Sequence, residues 1–169
     1  MNLKLGSCFF LLITICVSAT AQTYTLEHVE KKGNVFYNKE TKTPLTGTLV
    51  RLYPNGKPFT KTNFKNGLLN GQAIGFTTDG HMEHLIEYQN DKKHGLFQLY
   101  DENGTIRLKA TFQEDKLHGL LSPYTPDGLP FFSETYHEGV LQGERSYYNP
   151  DGRLQKTCHT DNNPKEICP

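Results

Sequence analysis

The chain has 169 residues, and its 18 lysines and arginines balance its 18 aspartates and glutamates, so its formal net charge is zero at pH 7 with neutral histidines. Nucleic-acid binding rests largely on the neutralisation of phosphates, and this chain has no basic run that would supply it. The charge balance therefore argues against nucleic acid as a partner.

The first 21 residues have the pattern of a secretory signal peptide. A single lysine, Lys4, precedes an apolar run from Leu5 to Val17, and Ala19-Thr20-Ala21 provides an A-x-A cleavage site. The run is too short and wrongly flanked for a membrane-spanning helix. The alternative to a cleaved signal peptide is an uncleaved membrane anchor. We expect cleavage between Ala21 and Gln22 and a periplasmic or secreted mature chain.

From Gly47 onward the sequence repeats with a period of 24 residues. A fixed period in this range is typical of an array of identical supersecondary units. Two glycine series carry the period. The first consists of Gly47, Gly71, Gly95, Gly119 and Gly143. The second consists of Gly56, Gly80, Gly104, Gly128 and Gly152.

The second glycine series predicts one tight hairpin turn in each repeat. Each of its glycines follows Asn or Asp, as in the segment NPDG at 149–152. Pro150 and Asp151 suit the central positions of a type I turn, and Gly152 suits the left-handed residue that closes a three-residue loop with a G1 bulge. A second turn is expected at Asn66-Gly67, Asn90-Asp91, Glu114-Asp115 and Glu138-Gly139.

Between these turns, polar and apolar residues alternate. In the segment 107–112, Leu108, Ala110 and Phe112 share one face, and this period of two indicates a strand. We predict an all-β fold in which an antiparallel β-meander of nine or ten short strands, about 4.5 repeats, spans residues 47–157. A lead-in strand region, 22–46, precedes the meander, and a tail, 158–169, follows it.

The period also places aromatic residues in two columns. One column is Phe64, Tyr88, Phe112 and Tyr136, and the other is Leu52, Phe76, Tyr100, Tyr124 and Tyr148. We expect the two columns to form a ribbon along one face of the sheet. The rings are either the core of a coiled sheet or contacts for a partner. The partner-binding hypothesis rests on Tyr88, Tyr100, Phe112, Tyr124, Tyr136 and Tyr148.

The segments GLFQLYDENG and FQEDKLHG resemble the MORN-repeat variant family, specifically the bacterial YwqK-like proteins, and 42–58 resembles the opening of their first repeat. The resemblance covers about residues 33–157 and implies a single-layer twisted antiparallel sheet. YwqK-like proteins are often labelled antitoxins of toxin–antitoxin systems. The chain departs from the family pattern at Leu52, at Asp91 and Asp115, which replace turn glycines, and at Pro123, where we expect a bulge or an unpaired edge.

Two cysteines lie close together in the tail. Cys158 and Cys168 would form a disulfide in an oxidising compartment. Two free thiols are one alternative. A zinc site is another, although His159 is the single further ligand between them and a structural site needs four.

Nothing in the sequence has the pattern of a catalytic or cofactor site. A nucleophile elbow and a phosphate-binding loop are both missing. His94 and His118 occupy equivalent repeat positions about two strand spacings apart, too far to share one metal ion. His81, Glu83, His84 and Glu87 form a denser group, but on a strand they do not converge on one ion. We therefore expect no enzyme activity, no cofactor and no metal.

The regular aromatic surface predicts a binding function. Tyrosines supply rigid, amphipathic contact area on a long repetitive surface, which favours a scaffold for another protein, antitoxin-like or immunity-like. The alternative is a cell-envelope module that contacts cell-wall glycan or lipid headgroups. A homodimer is left open, because pairing with a second copy would also cover an apolar face.

Overall fold

A computed structural model describes residues 22–160 and 166–168 of the chain. The expected signal peptide, residues 1–21, lies outside the described residues. Within them, no helix combines the length and the hydropathy that crossing a membrane requires.

Regular structure in the described residues is β-strand apart from a 3-10 helix at Leu26–His28. The alternating segments between turns form the strands. These are β1 (Thr23–Tyr24), β2 (Val29–Lys32), β3 (Val35–Asn38), β4 (Gly47–Leu52), β5 (Pro58–Lys65), β6 (Leu68–Phe76), β7 (Met82–Gln89), β8 (Lys92–Tyr100), β9 (Ile106–Gln113), β10 (Lys116–Pro123), β11 (Phe132–His137), β12 (Val140–Tyr148), β13 (Leu154–Thr160) and β14 (Glu166–Ile167).

One sheet contains all the strands except β2 and β3. Its order is β1-β4-β5-β6-β7-β8-β9-β10-β11-β12-β13-β14, and from β4 onward each strand pairs antiparallel with the next. The predicted all-β meander of hairpin repeats is confirmed, with β4–β13 as its ten strands. The lead-in adds a feature that the sequence did not indicate, because β1 pairs parallel with β4 at the sheet edge. The separate β2–β3 hairpin lies in the connection that a parallel pair requires.

Both kinds of predicted turn occur and alternate along the sheet. The glycine turns have left-handed Gly56, Gly104 and Gly152, with φ of 81°, 81° and 78°. The N–H of each glycine donates to the carbonyl three residues earlier, as from Gly104 to Asp101 at 3.0 Å, which is the type I turn with a left-handed closing residue. The second turns have two successive left-handed residues, for example Asn66 and Gly67 with φ of 53° and 81°. They are two-residue type I′ turns.

The hydrophobic core lies at the amino-terminal end of the sheet. Leu45, Leu49 and Phe64 are at most 5% exposed and pack with Tyr24 and Val29. The β2–β3 hairpin lies over this end. Further along, the single layer leaves both faces partly exposed, and the buried side chains among the described residues there are those of Gln98, Ala110, Ser122, Glu134 and Cys158.

Pro123 lies where pairing with β11 is interrupted and pairing with β9 is retained. The β10–β11 pairs end at Leu121, whereas the equivalent β8–β9 pairs continue to Tyr100. Pro123 itself is the last residue of β10 and pairs with Leu108, and its carbonyl accepts the Phe131 N–H at 2.9 Å. The following strand β11 has six residues, against eight in β5, β7 and β9. Pairing therefore continues past the proline through single contacts.

The carboxyl-terminal cysteines form a disulfide. Cys158 is completely buried, and its sulfur is bonded to that of Cys168. Strand β13 runs to Thr160, three residues into the segment expected to be tail, and β14 pairs with it through His159 and Thr160. The disulfide thus ties a short final strand to the sheet edge.

Candidate functional site

The strand registers assign every repeat residue to one of two faces. Residues directly opposite each other in an antiparallel pair share a face, and neighbours along a strand alternate. We call the face that carries Phe64 the front face and the other the back face. Phe112 pairs with Gly95, and Phe97 with Ala110, which places all four residues on the front face.

The two aromatic columns lie on opposite faces, so the expectation of one ribbon was wrong. Phe97 and Leu99 face the front on β8, and Tyr100, one residue further, faces the back. The Tyr100 hydroxyl accordingly donates to Oε1 of Gln98, two residues away, at 2.9 Å. The reason is the two-residue turn: it pairs Phe64 with Leu69, so odd-numbered residues face the front on β6 and the even-numbered Phe76 faces the back.

The front column is buried at its first member only. Phe64 is 5% exposed because Phe36 of β3 lies on it, with ring centroids 4.7 Å apart. Tyr88, Phe112 and Tyr136 occupy the same repeat position and are all partly exposed. Three of the six partner-binding candidates are therefore on the front face beyond the cover that the β2–β3 hairpin provides.

The chain's own cations lie over some aromatic rings of the front face, inside and outside this column. Lys93 Nζ is 5.1 Å from the Phe112 ring centroid and 5.7 Å from that of Phe97. Near the end of the sheet, Lys156 Nζ lies 4.8 Å from the Tyr147 centroid. Such contacts stabilise an exposed ring without removing it from solvent.

An acid and a base interrupt the front face in the last repeats. Glu134 is 4% exposed, forms an ion pair with Arg145, and accepts a hydrogen bond from the Tyr136 hydroxyl at 2.7 Å. Burial, followed by the hydrogen bond to Glu134, raises the pKa of Tyr136 above its ordinary value. The equivalent of Glu134 one repeat earlier is the apolar Ala110. This polar group distinguishes the last repeats from the first three.

In the back column, the hydroxyl groups of two tyrosines have hydrogen-bond partners within the sheet. Tyr100 donates to Gln98, and the Tyr148 hydroxyl lies 3.3 Å from Ser133 Oγ. Gln98 and Ser122 are buried on this face, at 7% and 2% exposure. Polar side chains therefore surround the back rings, and the back face is less apolar than the front.

The type I′ turns are linked to one another along one edge of the sheet. The N–H groups of Gly67, Asp91 and Gly139 donate to the carbonyls of the residues 22 positions earlier, at 2.7, 3.0 and 2.7 Å. At the second and third turns a carboxylate adds a return bond, from the Leu69 N–H to Asp91 and from the Lys93 N–H to Asp115. The two aspartates that replace glycine thus stabilise neighbouring repeats.

The histidines at one repeat position lie beside these turns. His94 Nδ1 is 3.7 Å from Glu114 Oε1, and the His118 ring lies 4.8 Å from that of His137. The residues at the same position in the first two repeats, Thr46 and Asn70, bond the adjoining turns. In the part of the chain that the structure describes, no three acidic, histidine or cysteine side chains are grouped to hold a metal.

An open groove lies beside the same turn edge between the first and second repeats. Its volume is about 610 Å³, and Tyr88 and His94 contribute to its wall. Most of the lining is polar, including Asn66, Glu87 and Asn90. Its shape and polarity differ from those of the enclosed, mostly apolar pockets that bind small ligands.

The chain folds as a single-layer β-repeat protein. A comparison of its sequence with known protein families shows which repeat it resembles. The model described as MORN repeat variant matches residues 45–66, 93–114 and 141–162. Successive matches start two repeat periods apart, so they coincide with the first, third and fifth copies in one frame. Three of the five repeat copies thus match the MORN repeat variant, and such repeats suggest a scaffold for binding.

The chain has a weak similarity to a solved structure of a larger protein. It is a crystal structure of an S. aureus TarM mutant in complex with Fondaparinux, alpha-GlcNAc-glycerol and UDP, with a TM-score of 0.42 and 17% identity. The match covers 65% of this chain and 21% of that one, so this chain spans about a fifth of its length. A similarity at this level carries no functional argument. No curated protein matches the chain significantly.

Proposed function

We propose that the chain is a non-enzymatic repeat scaffold that binds another protein through the front face of its sheet. The observation that carries this proposal is the contrast within one column. Phe64 is covered by an aromatic side chain of the chain's own hairpin, whereas Tyr88, Phe112 and Tyr136 are partly exposed. A row of partly exposed aromatic rings on one face of a protein is typical of an interaction site.

The cover on Phe64 also indicates the kind of partner that suits this face. Phe36 reaches the sheet on a polypeptide strand, and its backbone bonds the Gly67 turn. A protein segment therefore supplies the combination of an apolar ring and backbone groups that fits the repeat. Lipid headgroups and glycans do not supply that combination.

The proposed location is the periplasm or the extracellular space, on the basis of the signal-peptide pattern at residues 1–21. The disulfide between Cys158 and Cys168 supports an oxidising compartment. The resemblance to YwqK-like proteins supports an immunity-like role against a toxin that acts in the envelope.

Affinity capture from native cell envelopes tests this function. The bait is the mature chain, 22–169, and its front-face variant is Tyr88→Ser with Phe112→Ser. The matched back-face control is Tyr100→Ser with Tyr124→Ser, which also alters two rings one repeat apart. Thermal melts followed by circular dichroism establish that each variant is folded.

The proposal predicts a stoichiometric protein that the wild-type chain and the back-face control retain and the folded front-face variant loses. Equal retention by all three chains would exclude the front face as the binding surface. Sedimentation of the bait with wall or membrane fragments, without a protein partner, would favour the cell-envelope module that binds glycan or lipid headgroups instead.

A further inference from the structure

The way the β2–β3 hairpin binds the first repeat provides a template for an external partner. The Phe36 N–H donates to the Gly67 carbonyl at 2.9 Å, and the Phe36 carbonyl accepts the Leu45 N–H at 2.8 Å. The Phe36 side chain meanwhile packs on Phe64 and joins the cluster that contains Leu49. One residue of an extended segment thus pairs with the turn and fills the apolar surface beside it.

Gly67 is required for this contact. A Cβ at this position would collide with Val35 Cγ1 and would lie 2.7 Å from the Phe36 carbonyl oxygen. A turn residue with a side chain would therefore exclude the docked strand. This steric requirement divides the four type I′ turns into two kinds.

The second and third repeats are closed to such a strand. Their turns carry Asp91 and Asp115, whose carboxylates accept the Leu69 and Lys93 N–H groups at 2.7 and 2.8 Å. These are the repeat equivalents of the Leu45 N–H that Phe36 binds. The position is therefore already occupied by the chain's own side chain.

The fourth repeat has the complete set of docking residues found in the first. Its turn residue is Gly139, whose N–H donates to the Leu117 carbonyl at 2.7 Å, as Gly67 donates to Leu45. A Cβ on Gly139 would approach Lys116 Cβ at 4.0 Å, and no described atom lies nearer. The matching residues of the two repeats are Leu45 and Leu117, Leu49 and Leu121, Phe64 and Tyr136, Gly67 and Gly139, and Leu69 and Leu141.

The apolar members of this fourth set are uncovered. Leu45 and Leu49 are 1% and 4% exposed beneath the hairpin, whereas their equivalents Leu117 and Leu121 are partly exposed. Leu69 and its equivalent Leu141 are both partly exposed. Gly139 has no carboxylate with which to bind the Leu117 N–H. The surface therefore has the backbone groups of the first repeat without its cover, and the ion pair between Glu134 and Arg145 lies beside it.

The charges beside the two turns differ in sign. Lys65 and Asn66 flank the first turn, whereas His137 and Glu138 flank the fourth. Glu138 has a left-handed φ of 50°, so it belongs to the turn itself. A basic residue near the docked aromatic would complement this side chain, as Lys31 accompanies Phe36 in the chain's own hairpin, with Nζ 5.2 Å from the ring centroid.

We propose that the fourth repeat is a docking site for an extended protein segment that carries an aromatic residue close to a basic one. The partner's aromatic residue accepts the Leu117 N–H with its carbonyl, donates its own N–H to the Gly139 carbonyl, and packs its ring against Tyr136, Leu121 and Leu141. This inference rests on the proposed protein-binding function and adds to the front face a point at which the partner's backbone pairs with one repeat.

The probe for this site is a synthetic peptide with the sequence of residues 29–43, because this segment already binds the equivalent surface. Its binding to ¹⁵N-labelled chain 22–169 is followed through the backbone amide resonances. The blocking variant is Gly139→Asp, which copies the closed turns at Asp91 and Asp115 and preserves a left-handed residue that aspartate tolerates. The matched control is Gly80→Asp, at a left-handed glycine on the opposite edge with open space around it.

The proposal predicts shifts of the Leu117 and Gly139 amides with the wild-type chain and the Gly80→Asp control. It predicts affinity at least about tenfold weaker for Gly139→Asp, or for a peptide with Phe36→Ala, equivalent to about 1.4 kcal/mol. No shift at millimolar peptide, or equal binding to the Gly139→Asp chain, would overturn the docking site. That result would not affect the capture of an envelope protein through the front face. Each of the two proposals can therefore be refuted independently of the other.

Discussion

Asp91 binds both backbone polar groups of Leu69, one through its own backbone and the other through its side chain. The Asp91 N–H donates to the Leu69 carbonyl at 3.0 Å, and the Asp91 carboxylate accepts the Leu69 N–H at 2.7 Å. A residue that replaces a turn glycine thereby binds both backbone groups of a residue in the preceding repeat. The left-handed conformation of Asp91, with φ of 68°, directs its side chain to this position.

The Asp91 bond predicts a measurable contribution to stability. Asp91→Ala should lower the free energy of unfolding by about 1 kcal/mol, because the Leu69 N–H loses its acceptor. Asp91→Asn keeps an acceptor oxygen and should lose less. Urea unfolding of both variants measures the difference, with Asp79→Ala at the opposite edge as the control. Equal stability of the wild type and Asp91→Ala would show that the bond contributes nothing.

A substitution at one of the glycine turns should lower stability through the backbone conformation alone. Gly104 has φ of 81°, and no atom of the described residues lies within 4 Å of a Cβ placed on it. Gly104→Val should therefore destabilise the chain by about 1–2 kcal/mol, because a β-branched residue resists the left-handed conformation. The melting midpoint by circular dichroism measures it. An unchanged midpoint would be incompatible with the observed turn.

The first glycine series predicts a different, steric cost. A Cβ on Gly95 would collide with Oε2 of Glu87, which accepts the Leu96 N–H at 2.9 Å, whereas no described atom lies within 4 Å of a Cβ on Gly80 in the second glycine series. Both glycines have positive φ. Gly95→Ala should therefore cost about 1 kcal/mol more than Gly80→Ala, since it also displaces a hydrogen-bonded carboxylate. Chemical denaturation of the two variants compares them, and equal losses would refute the steric explanation.

The raised pKa of Tyr136 predicts a loss of stability in alkali. Burial and the hydrogen bond to Glu134 favour the neutral phenol in the folded chain. This contribution is complete below the unfolded pKa, about 10, and disappears as the pH rises through the higher folded pKa. Tyr136→Phe has no proton to lose at this position, so its urea midpoint should fall less than that of the wild type above about pH 10. Parallel declines would show that Tyr136 is not responsible.

The sequence predicted the repeat array well because its turns have strict backbone requirements. Gly104 and Gly152 recur where only a left-handed residue closes the loop, and the strands between turns alternate in polarity. Period and turn chemistry together determine the meander. They are local properties, so they can be inferred without knowledge of the tertiary structure.

The assignment of faces required more than the period. The single-face expectation failed because each two-residue turn exchanges odd and even positions, as the pair Phe64 and Leu69 shows. Counting the register through the turn would have placed Phe76 on the back face. The sequence contained that information, but the repeat spacing alone did not reveal it.

Other features of the surface depend on contacts between distant segments. The cover of Phe64 by Phe36 joins residues from a separate hairpin, and no spacing in the sequence indicates it. One feature of the sequence did indicate the pair of Glu134 and Arg145. Both residues occupy repeat positions that are apolar two repeats earlier, where Ile86 and Phe97 lie. A charged pair at two such positions indicates that the residues meet across neighbouring strands.

Site-specific photo-crosslinking tests the central claim of front-face binding most directly. A photoreactive benzoylphenylalanine placed at Phe112 would report contacts of the front face, and one placed at Tyr100 would report contacts of the back face. Both sites are partly exposed aromatics. On irradiation in native envelopes, front-face binding predicts a discrete crosslinked protein from position 112 and none from position 100. A crosslink from position 100 alone would contradict it.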